Sequence, residues 1–123
     1  MLQAYSTGIT LAANANIPFN STSVQKGCTA VKTGPDTFNL NKCGVYMVSV
    51  ECSSSASTTI QLVKDGVLQP QAQSTGISPS FTTLVQVDHN NSNCACDSPT
   101  ILQVRNTTAG TASIANITIT KIV

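Results

Sequence analysis

A chain of 123 residues is the length of one ordinary domain, able to bury roughly two thirds of its unfolded surface without a metal or a disulfide. Charged residues make up 9%, against about a quarter in typical soluble proteins, and the six Lys and Arg are scattered for a net charge of +1. That balance excludes the basic footprint of a nucleic-acid or anionic-lipid binder, and no apolar run approaches the ~20 residues of a membrane span.

The exterior is therefore covered by neutral polar groups, with Ser, Thr and Asn supplying 41 residues. The opening MLQAYSTGITLAA has no basic start, apolar core or cleavage signature, so the expectation is a soluble chain made in the cytosol. Acidic residues are few, alanines are scattered, and no long segment repeats apolar residues at helical spacing. Short runs rich in Val, Ile, Thr and Phe, bounded by Gly, Pro, Asn and Ser, recur instead. They predict strands near 2–12, 17–24, 28–33, 37–41, 44–52, 58–64, 67–73, 80–88, 99–106 and 112–122. This rhythm belongs to a β-sandwich or barrel in one domain over 1–123, not to alternating βαβ units.

Along the strand over 44–52, Tyr46, Val48, Val50 and Cys52 share one face, while Val45, Met47, Ser49 and Glu51, with Cys43 just before them, share the other. One face is wholly apolar; the other turns polar, as expected of a strand between a core and a second packing surface. Ser53 to Ser57 reads as a loop, and Lys64-Asp65-Gly66 as a hairpin turn, because Asp-Gly tolerates the positive φ angles of a tight turn. Farther along, Phe81, Val85 and Val87 alternate with Thr82, Leu84, Gln86 and Asp88. In the last strand Ala115, Ile117 and Ile119 alternate with Ile114, Asn116, Thr118 and Thr120.

Catalytic signals are absent. His89 is the only histidine, in the polar loop VDHNNSN, and its sequence neighbour Asp88 points to the opposite face of a strand. There is no Gly-x-Ser-x-Gly elbow, no phosphate loop and no calcium loop. Asp36, Glu51, Asp65, Asp88 and Asp97 fall mostly in turns, and no two are spaced as a general acid and base on one element. The chain is expected to be no enzyme and to hold no cofactor.

Five cysteines leave one unpaired in any scheme. Cys94 and Cys96 share a side if their loop is extended and are the only weak metal candidates, since the second pair that a zinc site needs is missing. Cys28, Cys43 and Cys52 read as small buried hydrophobes. A Cys28–Cys43 disulfide is open to the chain if the residues between them form a hairpin, although cytosolic synthesis argues against dependence on it. Four Asn-x-Ser/Thr sequons begin at Asn20, Asn90, Asn106 and Asn116, where about two or three are expected by chance from this composition, and without a secretory signal they carry little weight.

The segments IPFNSTSVQKG, FNLNKCGVYMVSV, TTIQLVKDGV, FTTLVQV and ANITITKIV, in that order, resemble jelly-roll domains of the tumour-necrosis-factor and complement-globular-head type. The likeness runs from about residue 17 to 123 and is most specific at Ile17-Pro18-Phe19-Asn20, Gly44-Val45-Tyr46 and Lys64-Asp65-Gly66. It implies an all-β, ten-stranded antiparallel jelly-roll sandwich that assembles as a homotrimer, one sheet packed around the threefold axis. Tyr46, Val48, Val50, Phe81 and Ile117 would then be divided between the core and the trimer interface.

Within that family the chain is most similar to stand-alone capsid decoration proteins of phages of gut Firmicutes, which share segments like NKCGVYMVSV and an Asn/Cys-rich loop. The implied role is a trimer on the outside of a phage head, partnered by the major capsid protein and localised to the virion after synthesis in the host cytoplasm. A trimeric receptor- or glycan-binding head of a fibre or spore-surface protein is the alternative. In that case Asp88, His89, Asn90, Asn91 and Asn93 would form an exposed recognition loop for a host-surface glycan. The absence of a Gly-x-y repeat favours decoration.

Overall fold

The computed structural model describes residues 1–88 and 99–123. Among them the chain is all β, in eleven strands. These are β1 (Leu2–Leu11), β2 (Ala15–Asn16), β3 (Ser21–Gln25), β4 (Ala30–Lys32), β5 (Phe38–Leu40), β6 (Gly44–Ser54), β7 (Thr58–Lys64), β8 (Val67–Gly76), β9 (Ser80–Val87), β10 (Thr100–Asn106) and β11 (Gly110–Lys121). Ten of them match the predicted strands; the additional one is the two-residue β2.

Two antiparallel sheets face each other. One has the order β3-β1-β11-β6-β9, the other β4-β5-β10-β7-β8, and β2 pairs with the end of β10 on the edge that β5 leaves free. Successive strands cross repeatedly between the sheets, as a jelly roll requires. The core fills the space between them. From the first sheet come Leu2, Ala4, Tyr46, Val48, Val50, Cys52, Ala115, Ile117 and Ile119; from the second come Phe38, Leu40, Ile60, Leu62, Leu102 and Val104. Phe19 and Phe38 meet edge to face with ring centroids 5.7 Å apart. Tyr46 is buried and donates its hydroxyl to the Lys42 carbonyl at 2.6 Å, so the one polar atom of this large core ring is satisfied.

The predicted strand over 17–24 begins late, at Ser21. Pro18 has no N–H for a ladder, and its neighbours bond elsewhere: Ile17 N to Val104 O at 2.8 Å and Phe19 N to Pro35 O at 2.6 Å. Strict alternation also fails at one place. In β1 the inward residues are Leu2, Ala4 and Ser6, then Ile9 and Leu11. Gly8, at φ +59°, takes the left-handed turn that changes the phase, while β11 shifts register against β6 between Ala112 and Ile114. Gly44 starts β6 at φ +141°, where a Cβ would collide with Val123 O.

Candidate functional site

The alternation of β6 creates two different surfaces. Tyr46, Val48, Val50 and Ile117 are at most 1% exposed, inside the sandwich. Phe81 is half-buried on the edge strand and packs against the same cluster. None of the five lies on the outward face of the first sheet. The division between core and interface that the resemblance left open therefore falls on the core side for this set.

The outward face is built by the opposite parity. Antiparallel register aligns its side chains into rows across β1, β11, β6 and β9: Gln3–Thr118–Ser49–Thr82 and Tyr5–Asn116–Glu51–Ser80. Flanking them are Thr120–Met47–Leu84 and, without β9, Thr7–Ile114–Ser53. Polar members bond within their rows. Gln3 Nε2 donates to Thr118 Oγ1 at 3.4 Å, Ser49 and Thr82 share a hydrogen bond at 3.1 Å, and Asn116 Nδ2 donates to Glu51 Oε1 at 3.4 Å. Among them stand Tyr5, Met47, Ile114 and Leu84, the last 58% exposed. These rows hold one carboxylate, Glu51, and no Lys or Arg. The face is nearly neutral, with polar groups that bond laterally, Asn116 Oδ1 excepted, and with projecting apolar side chains, which suits contact with protein better than with bulk water.

The cysteines depart from expectation. Among the described residues Cys43 is disulfide-bonded and only half-buried, Cys28 is an exposed free thiol, and Cys52 is a buried one. Burial pushes the Cys52 thiol above its ordinary value of 9.0. The hairpin imagined between Cys28 and Cys43 exists as β4 and β5, but it does not join them. Its register pairs Ala30 with Leu40 and bonds Asn41 N to Thr29 O, which puts Lys42, not Cys43, across from Cys28.

Asp88 is exposed just beyond β9 and accepts from Gln86 Nε2 at 2.8 Å. It lines an open cleft of about 250 Å³ with Cys43, Gly44, Val45, Gln86 and Val87. Among the described residues of that lining there is no pairing of a nucleophile with a base. The other members of the expected recognition loop, His89, Asn90, Asn91 and Asn93, and the weak metal candidates Cys94 and Cys96, lie outside the described residues. Among the described residues no three His, Cys, Asp or Glu side chains gather as a metal site.

On the second sheet one feature went unread in the sequence. Arg105, on β10, faces outward beside Gln61 of β7 and Asn16 of β2. The signal was available in the alternation of Leu102 and Val104 with Gln103 and Arg105, but its cross-strand neighbours come from distant segments.

No family model matches the chain, and no curated protein matches it. Solved structures do share its fold. The globular domain of zebrafish complement 1qA protein superposes with a TM-score of 0.77 at 10% identity, covering 99% of this chain and 96% of that one. Murine APRIL at pH 5.0 gives 0.69 at 8% identity, covering 98% of both. The PRD1 vertex protein gives 0.65 at 16% identity, covering 99% of this chain and 96% of that one. The fold is thus the jelly roll of TNF-like and complement-type globular heads, shared with a vertex protein.

Proposed function

We propose that this protein is a structural virion protein: a homotrimeric decoration protein bound to the outside of a phage capsid, with the major capsid protein as its partner. The observation that carries the assembly is the outward face of the first sheet, where Tyr5, Met47, Leu84 and Ile114 project from laterally bonded polar rows bearing a single carboxylate. A second and third copy closing a ring over that face would remove these side chains from water, with one charge per copy to accommodate, the Glu51 carboxylate that accepts from Asn116 Nδ2. The TNF-like resemblance implies the same assembly, through the sheet that contains β6. The fold shared with the PRD1 vertex protein supports a place on a virion.

Docking to the shell would rest on many weak, neutral contacts multiplied by symmetry, so that avidity rather than one anchor holds the trimer. Its role is attachment and stabilisation, not catalysis, in a virion assembled in the host cytoplasm. Light scattering on the purified chain tests the assembly. A native mass about three times 12.8 kDa supports it, and a monomer at tens of micromolar rejects it.

A further inference from the structure

Arg105 is the only arginine of the chain. Its Nε is buried, and among the described residues its guanidinium has no hydrogen-bond or ion-pair partner. That is unusual for a half-buried arginine, whose charge and five N–H donors ordinarily find a carboxylate or carbonyls when drawn away from water. With Nε covered by the chain itself, the two terminal amino groups remain for a ligand.

The surroundings say what kind. Register places Arg105 in one row with Gln61 and Gln73 on one side and Asn16 on the other. Gln61 Nε2 donates to Gln69 O and Gln73 Nε2 to Pro70 O, each at 3.1 Å, which fixes the two amides and leaves their Oε1 atoms and one N–H apiece. The next row carries Thr59 and Thr75, whose hydroxyls share a hydrogen bond at 2.6 Å. Asn16 is turned away, donating to Asp36 Oδ2 at 3.2 Å, and Thr37 Oγ1 holds the other Asp36 oxygen at 3.1 Å. Both oxygens of that acid are thereby engaged, and among the described residues the row from Arg105 over Gln61 to Gln73 carries no carboxylate. Strands stand about 4.8 Å apart, so the run from Arg105 over Gln61 to Gln73 is roughly 10 Å, the reach of one or two sugar rings. The remaining amide oxygens and hydroxyl lone pairs accept from sugar hydroxyls, the remaining amide N–H groups donate to them, and the guanidinium fork matches a carboxylate. These two rows contain no apolar side chain, which disfavours a protein partner, since interface centres are apolar or aromatic.

We infer that this face binds a carboxylate-bearing sugar, with the acid group on Arg105 and the ring hydroxyls over Gln61, Gln73, Thr59 and Thr75. It lies on the sheet opposite the proposed assembly face, so its failure would leave the trimer reading untouched, and the reverse holds as well. The test is an NMR titration of the intact protein with glucuronate, with glucose and acetate as controls, following the Arg105 Nε–H and the Gln61 and Gln73 side-chain amides. The expected result is saturable shifts of all three groups with glucuronate, binding roughly tenfold weaker for glucose and for acetate, and a similar loss in Arg105→Gln, as expected for one charged hydrogen-bonding partner. Gln61→Ala, an exposed-face change that keeps the charge, should weaken glucuronate severalfold and leave acetate unchanged. Acetate as strong as glucuronate would reduce the site to a bare anion contact and overturn the inference. So would glucose as strong as glucuronate, tighter binding of an acidic peptide, or no shift at tens of millimolar.

Discussion

Replacing Leu84 by Asp puts the proposed assembly face under the sharpest strain. Leu84 is 58% exposed in the single chain and stands next to Met47, 39% exposed, in the row that ends at Thr120. Fully burying a leucine is worth about 1.5–3 kcal/mol, so the exposed part offers about 1–1.7 kcal/mol per copy on association. Over three copies that is about 3–5 kcal/mol, or two to three and a half decades in the assembly constant. A carboxylate there removes this gain and adds the cost of desolvating a charge beside apolar neighbours. The fold itself should survive, since the Leu84 side chain points away from the core and aspartate would stay in water in the monomer. The assay pairs light scattering with a thermal melt. The expected outcome is a chain that melts cooperatively but has the mass of one copy at concentrations where the parent has three. An unchanged trimer in both Leu84→Asp and Met47→Glu would refute the assignment of this face.

Other consequences are accessible to simple measurements. Ile117 is fully buried between the sheets, so Ile117→Ala should cost about 2–5 kcal/mol by chemical denaturation, whereas Thr118→Ala on the opposite parity should cost under about 1 kcal/mol. Gly44→Ala drives a Cβ into Val123 O and to 2.7 Å from Lys121 Cε at a φ that side chains avoid; the melt should show a loss of about 1–3 kcal/mol from backbone strain, with more if the β11 end is displaced. Alkylation at pH 8 should label Cys28 well before Cys52, because the Cys52 thiol is buried and its pKa is raised; equal rates by peptide mass spectrometry would contradict that burial. The same raised pKa means that the Cys52 contribution to stability is complete below pH 9.0 and declines above it, as the unfolded chain loses the proton first.

Much of the fold was legible because strand parity is local. The apolar face of β6, the alternation of β9 and the Asp65-Gly66 turn depend on residues a few positions apart, and the structure keeps them. Asp65 sits at φ 51° in that turn, and its carboxylate accepts from Ile101 N at 2.8 Å, a tie between β7 and β10 that no local pattern reveals. Parity also had a limit. It separated Tyr46, Val48 and Val50 from Val45, Met47 and Ser49, but it could not say that the first set belongs wholly to the core, because both readings bury apolar residues. The phase change at Gly8 was hidden for a different reason: a single left-handed glycine looks like any glycine until its neighbours Ile9 and Leu11 are seen facing inward. Register over distance was out of reach, and with it the failure of Cys28 to meet Cys43 and the row that gathers Gln61 and Asn16 around Arg105.

The central claim is that the chain clothes a capsid as a trimer. Imaging purified phage heads at high resolution, with the chain quantified by mass spectrometry in the same particles, tests it most directly. The account predicts many copies per head, seen as three-lobed jelly rolls on the outer surface with the β6-containing sheets turned toward one another. A few copies confined to the tail, or none in washed particles, would contradict it.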